Sequence, residues 1–335
     1  MQSVLITGAN GFVGSHLCDA FLEKGYTVYG MIRETSDLRF LKHSRATLVC
    51  GDLTDPARIA FPETVDVIVH AAALALDNAT LTQSRDHVYG ITRTLADEAA
   101  RRYPHLSKFV YVSSALTLGY CADDISAQHP GRSAEYVPYI RMKKMAEQYL
   151  LARHRETGFP VVILRPGDIY GPRDRTTCEL MLHAAERGVP IRIGRGMNKF
   201  ALCSPANLGR AALAAVEHPA TNGKAYTVAN GISPTWREFF DALQSGVGKP
   251  QKLYIPASLL MGAALLMELA GRIAPALKPP INFYRIRRIT SQTTYDMTAT
   301  FEDLGYESDD DYHRLFASIV EWYLCEKARS SGLQG

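Results

Sequence analysis

The chain has no Cys-x-x-Cys pair. Its six cysteines, Cys18, Cys50, Cys121, Cys178, Cys203 and Cys325, are scattered. That excludes a zinc ribbon and a disulfide framework, and no metal site is expected. An excess of charge of one sign is also missing: 37 basic against 34 acidic residues leave a net +3. Without blocks of like charge or a base-stacking motif, no nucleic-acid partner is expected. The apolar run at 257–270 ends at Gly271-Arg272 and is too short for a transmembrane segment. There is no internal repeat and no low-complexity stretch. A strand-like run begins at Ser3. It leaves no room for a signal peptide, so a cytoplasmic location is the expectation.

What remains is an ordinary globular composition, 47% apolar and 21% charged over 335 residues. That length suits one large domain or two fused ones. The most informative stretch is Val4-Leu5-Ile6-Thr7-Gly8-Ala9-Asn10-Gly11-Phe12-Val13-Gly14. It reads as a strand, a tight turn and a helix running on to Gly25. Gly8 permits the turn, Gly11 lets the backbone approach a pyrophosphate, and Gly14 lets the helix pack close to the strand. The helix N-terminus then offers its free amides to a diphosphate.

Further short runs rich in Val and Ile alternate with helical segments. Strands are expected at 27–32, 46–50, 65–70, 109–113 and 161–165. Such alternation predicts an α/β fold, a doubly wound (Rossmann) parallel sheet with its ligand at the carboxyl ends of the strands. Residues 1–175, with a strand near 225–229 returning to the sheet, form the expected NAD(P)-binding domain. Residues 176–330 are mainly a smaller substrate-binding lobe. The end of the second strand reads Ile32-Arg33-Glu34. An acidic residue there would bond a ribose hydroxyl, whereas Arg33 can pair with a 2′-phosphate. NADP(H) is therefore the preferred cofactor and NAD(H) remains possible, with Arg33 solvated and Glu34 on the ribose. The small residues Ala71, Ala72 and Ala73 after the fourth strand suit a backbone passing close to the cofactor. His70 reads as a packed histidine.

The spacing Thr-Gly-x-x-Gly-x-x-Gly resembles the cofactor turn of extended short-chain dehydrogenase/reductases. This is the NAD-dependent epimerase/dehydratase superfamily. The resemblance implies cofactor contacts from Thr7, Gly8, Asn10, Gly11, Phe12, Val13 and Gly14. It implies that Asp52 and Leu53 meet the adenine, although Asp52 could equally cap a turn. Leu164-Arg165-Pro166-Gly167-Asp168-Ile169-Tyr170-Gly171-Pro172 resembles the family's Arg-Pro-x-x-Ile-Tyr-Gly-Pro segment. There the backbone near Pro166 and Ile169 lines the nicotinamide. His87 stands where many members have Asn, and is expected to replace a structural hydrogen bond. A homodimer through the helices flanking the sheet is a family expectation.

Phe109 to Ser114 is a strand ending in two serines, and Tyr139 and Lys143 follow at helical i, i+4 spacing. A phenol with a pKa near 10 needs a nearby ammonium to work as an acid/base at neutral pH. The catalytic set is thus Tyr139, Lys143 and a serine holding the substrate oxygen. The resemblance implies that this serine is Ser114, because the family's reacting Ser or Thr directly precedes a short run ending in Gly, here Ala115 to Gly119; Ser113 is the fallback. With 17 tyrosines, a chance Tyr-x-x-x-Lys is expected, and Tyr323/Lys327 supplies one.

Ala115-Leu116 lacks the Asp-Glu pair of the family's dehydratases. Arg173-Asp174-Arg175 lacks the Asn of its nucleotide-sugar members, although Arg173 or Arg175 could substitute. Arg195 and Lys199 could still meet an anion. The order of segments after residue 250 looks like the 3β-hydroxysteroid dehydrogenase-like, dihydroflavonol reductase-like branch. The expected function is an NADP(H)-dependent oxidoreductase interconverting ketone and secondary alcohol on a bulky, largely apolar small molecule. An NAD-dependent nucleotide-sugar 4-epimerase and a non-catalytic dinucleotide sensor are the alternatives. The 257–270 run is a core or lid helix, or else makes weak membrane-surface contact. Arg285, Arg287 and Arg288 are expected on a solvated basic face, or against headgroups or an acidic carrier.

Overall fold

In the computed structural model, residues 2–76, 78–250, 253–273, 283–330 and 332 are described, with 268–273 as backbone alone. Among the described residues, nine strands form two sheets. They are β1 (Ser3–Thr7), β2 (Thr27–Ile32), β3 (Thr47–Cys50), β4 (Val67–His70), β5 (Lys108–Val112), β6 (Val161–Pro166), β7 (Asp168–Ile169), β8 (Leu202–Cys203) and β9 (Ala225–Val228). The main sheet is seven-stranded with order β3-β2-β1-β4-β5-β6-β9. Every pairing in it is parallel. All carboxyl ends therefore lie along one edge, and the strand order reverses between β1 and β4. β1 and β5 are buried along their whole length, which is why their sequences are continuously apolar apart from their ends.

The helices are α1 (Phe12–Glu23), α2 (Leu81–Ser84), α3 (Ile91–Arg102), α4 (Pro138–Thr157), α5 (Cys178–Glu186), α6 (Pro205–Glu217), α7 (Trp236–Gly246), α8 (Ala257–Ile273), α9 (Phe283–Thr290), α10 (Thr298–Leu304) and α11 (Tyr312–Ser330). A π-helical turn, Arg85–Gly90, joins α2 to α3. One face of the sheet packs Val4, Ile6, Val69 and Val110 under α1 and α6. The other packs Leu5, Ile68, Phe109 and Tyr111 under α3 and α4. A separate aromatic core joins α5, α7 and α11. Phe200 and Trp236 stack there with ring centroids 4.1 Å apart, and Phe239 and Phe316 pack at 5.0 Å.

α8 turns Ala264 inward and leaves Leu259, Leu265 and Leu266 exposed. The side chains of Glu268 and Leu269, at the end of the 257–270 run, lie outside the described residues. Among the described residues no helix is long and apolar enough to cross a membrane.

Candidate active site

The turn after β1 is built around its glycines. Gly8 has φ +68°, a left-handed conformation in which a side chain is strained. A Cβ on Gly14 would sit 2.0 Å from the Gly8 carbonyl oxygen, so α1 can lie this close to the turn only without one. Gly11 occupies the N-cap of α1 and offers no capping side chain. Nothing in that cap position competes for the first-turn amides, which suits an anionic group.

A cavity opens beside this turn. Its walls are Phe12 and Val13 from α1, Ala71, Ala73 and Ala75 after β4, Val112 and Ser113 from β5, Tyr139 and Lys143 from α4, Ile169 from β7, and Asp174, Thr176 and Thr177. Seven of the residues expected around a dinucleotide, Phe12, Val13, Ala71, Ala73, Tyr139, Lys143 and Ile169, thus line one space. The glycine cradle and the alanine edge leave room for such a group, and the residues fit it. Asp174, Thr176 and Thr177 were not foreseen. Asp174 is buried and accepts from the amides of Thr176, Thr177 and Cys178, capping the start of α5. An Asp followed closely by Thr-Thr ahead of a helix was the available signal.

Lys143 is buried and donates to the Val112 carbonyl at 2.6 Å. Its ammonium lies 5.8 Å from the Tyr139 ring centroid and 4.7 Å from that of Tyr111. Burial pushes its pKa down to about 7, opposed by the charge of Glu147. Tyr139 is half-buried, so its ring meets both the core and the cavity. Of the two serines, Ser113 donates its hydroxyl proton to Glu147 at 2.5 Å. Ser114 accepts from the Leu116 amide at 3.3 Å and keeps its proton. The wall of the cavity includes Ser113, with Ser114 one residue beyond it.

Other expected residues sit as follows. Arg33 is exposed at the end of β2, its amide donating to Ser36 Oγ. Asp52 accepts from the amide and hydroxyl of Thr54, so it caps a turn, and these bonds hold its carboxyl below the usual range. Leu53 is buried in the core, and Pro166 is buried at the end of β6. Asn10 is partly exposed, 3.4 Å from the Asp37 carbonyl. His70 is fully buried between Thr7 and Thr92, and burial pushes it down to about 3, the state of a packed neutral ring.

Some expectations need correction. His87 is exposed and, among the described residues, its imidazole makes no hydrogen bond; its carbonyl accepts the Leu74 amide instead. The π-helical turn turns that side chain outward. Arg288 is not on a solvated face, because it turns inward to pair with Asp168. Arg287 lies over the Tyr120 ring. Arg173 and Arg175 are engaged by Asp19 and by Glu179 and Asp37. The second Tyr-x-x-x-Lys pair is structural: Tyr323 and Lys327 both bond Glu186.

Similar relatives include a 2-alkyl-3-oxoalkanoate reductase of Stenotrophomonas maltophilia, 27% identical, covering 91% of this chain and 94% of its own. A UDP-glucose 4-epimerase of Vibrio cholerae is 26% identical over 96% of both chains. A 3-beta-hydroxysteroid dehydrogenase of Mycolicibacterium neoaurum is 25% identical over 96% of this chain and 91% of its own. Among solved structures, UDP-glucuronic acid 4-epimerase from Bacillus cereus in complex with NAD superposes with a TM-score of 0.76. At 19% identity, over 97% of this chain and 99% of that one, the likeness speaks to the fold. The model of the NAD dependent epimerase/dehydratase family matches residues 4–229. The chain belongs to that family and is an NAD(P)-dependent enzyme of the extended short-chain dehydrogenase/reductase type.

Proposed function

We propose that this enzyme interconverts a ketone and a secondary alcohol on a bulky, largely apolar substrate, with NADP(H) as its preferred cofactor. The observation that carries the reading is the convergence of Tyr139, Lys143 and Ser113, with Ser114 next to it in the chain, on the cavity beside the glycine turn. The nicotinamide, when bound, supplies or accepts the hydride. In reduction, Tyr139 gives its phenolic proton to the substrate oxygen, and Ser114 donates a hydrogen bond that holds that oxygen in place. In oxidation, the Tyr139 phenolate takes the hydroxyl proton. The Lys143 ammonium stabilises the phenolate in both directions. The glycine turn would hold the diphosphate, Ala71 to Ala73 the backbone edge, Pro166 and Ile169 the nicotinamide side, Asp52 and Leu53 the adenine side, and Arg33 a 2′-phosphate.

An apolar substrate is supported by what flanks Tyr139. Leu116, Tyr120, Val137, Ile140 and Tyr284 pack together beside it. Two relatives named above are also a reductase of alkyl oxoalkanoates and a steroid dehydrogenase. A homodimer through α3 and α4 belongs to the same proposal and is read by light scattering.

The test is Tyr139→Phe. Turnover of a ketone should fall by at least about a thousandfold, since general acid catalysis is worth that order, while cofactor binding by fluorescence survives. Near-normal turnover would overturn the mechanism. The similarity to a UDP-glucose 4-epimerase favours a second reading, in which the enzyme retains NAD and recycles the hydride. Nucleotide released on denaturing a desalted sample separates the two. Stoichiometric NAD supports the epimerase, and empty protein preferring NADPH supports the reductase.

A further inference from the structure

The geometry points to Glu147 as a positioning residue for this site, a buried carboxylate that anchors the turn carrying Ser114 and keeps Lys143 charged. The inference rests on the roles given above to Tyr139, Lys143 and Ser114.

Glu147 continues the stripe of Tyr139 and Lys143 by one more step of four along α4, and it is 3% exposed. Ser113 Oγ donates to Oε1 at 2.5 Å, and the one Thr117 hydroxyl proton is shared between Oε1 at 3.2 Å and the Ser114 carbonyl at 2.8 Å. Arg165 Nε lies 3.0 Å from Oε1, and Nη2 lies 2.7 Å from Oε2. The guanidinium and the hydroxyls give the buried carboxylate partners that offset its desolvation. Ser113 and Thr117 flank Ser114 on either side. The Thr117 amide also donates to the Ser114 carbonyl, at 3.1 Å. Glu147 thus grips the Ser114 turn at both ends.

The second task is electrostatic. Four elements present ionisable groups to Lys143. Tyr139 and Glu147 come from α4, Tyr111 from β5, and His70, kept neutral by burial, from β4. Arg165 comes from β6 and is spent on Glu147. Glu147 is the carboxylate among them. Burial brings Lys143 down to about 7 even against the charge of Glu147; without that charge the ammonium would be lost at a lower pH still, and the phenolate of Tyr139 would lose its neighbour's charge. A neutral residue at 147 could anchor the turn but could not prevent this.

The test reads Tyr139 directly and needs no substrate. The phenolate absorbance of NAD-saturated protein is titrated, and the Tyr139 contribution is isolated by subtracting the Tyr139→Phe variant made in the same background. Glu147→Gln should raise the Tyr139 midpoint by about one pH unit, and Glu147→Asp, which keeps the charge, should restore it. Because Glu147→Gln strands a buried guanidinium, Glu147→Gln/Arg165→Met is measured beside it and should show the same rise. If every folded variant keeps the wild-type midpoint and only melts earlier, Glu147 is structural and the inference is overturned. If Lys143→Met also leaves the midpoint in place, the lysine–tyrosine reading beneath it fails instead.

Discussion

Arg33 is the residue on which the proposed preference for NADP(H) turns. It is exposed at the carboxyl end of β2, where a ribose would lie. Its guanidinium also helps hold the Asp52 carboxyl low, behind the two bonds from Thr54. A 2′-phosphate there would gain a charge-assisted pair that a ribose hydroxyl cannot offer. Arg33→Ala should raise KM for NADPH about tenfold, the effect of one such pair, with KM for NADH unchanged. Equal KM values for NADPH in variant and parent would make Arg33 a solvated loop residue. The sequence separated the two Tyr-x-x-x-Lys pairs by position alone, and the structure supplies the reason: Glu186 takes both Tyr323 and Lys327. Glu147 carried no such signal. Its importance comes from Ser113, Thr117 and Arg165, which are far from it in the chain and meet it only on folding.

The element that sets the site is the β1–turn–α1 unit, and its glycines differ in what they answer to. At Gly14 a methyl group would meet the Gly8 carbonyl at 2.0 Å, and the three atoms nearest to it are all backbone, with no flexible side chain to yield. Gly14→Ala should therefore cost about 3 kcal/mol or more through overpacking, seen as an early urea midpoint. At Gly11 the backbone has φ −79° and the nearest atom to an added Cβ is 3.2 Å away. Gly11→Ala should leave the urea midpoint nearly intact and weaken cofactor binding. The reverse ranking of the two variants would refute the division of labour. The unit was legible because a buried strand, a positive-φ turn and a helix leave local signatures. The parallel strands were legible for the same reason, as unbroken apolar runs. Of the helices after β9, α8 was legible as an apolar run, but the packing of α7, α9 and α11 was not. α7 and α11 hold together through Trp236, Phe239 and Phe316, with Ile289 of α9 packed against them, contacts between distant segments that no local period reveals.

At the scale of the whole molecule, one buried chain of hydrogen bonds crosses the sheet at its reversal point and ties stability to pH. The Ala72 amide donates to Thr7 Oγ1 at 3.1 Å. Thr7 Oγ1 meets His70 Nδ1 at 2.7 Å, and His70 Nε2 meets Thr92 Oγ1 at 3.0 Å. The Thr92 hydroxyl donates to the Val88 carbonyl at 2.6 Å. Since Thr92 gives its proton to Val88, it accepts from Nε2–H, and Nδ1 accepts from Thr7; every donor is used once, and the ring is neutral. A second proton on Nδ1 would face the Thr7 hydroxyl and break the sequence in the middle of β1, β4 and α3. Burial accordingly lowers His70 from 6.5 to about 3. Between those values the unfolded chain binds a proton that the folded protein refuses, so this contribution to stability is full above about pH 6.5 and is lost as pH falls towards 3. His70→Gln should be less stable than the parent at pH 7, because two buried hydroxyls lose their partner. Yet it should lose less on acidification, since it has no imidazole to protonate. The gap between the two proteins in urea unfolding should shrink by about 2 to 3 kcal/mol from pH 6.5 to 4.5, at about 1.4 kcal/mol per proton and pH unit. His16, lowered to about 4 by its own burial, titrates in both proteins and drops out of the difference. A gap that stays constant across that range would mean that the ring takes up its proton inside the sheet, and that the hydrogen-bond chain reverses without cost.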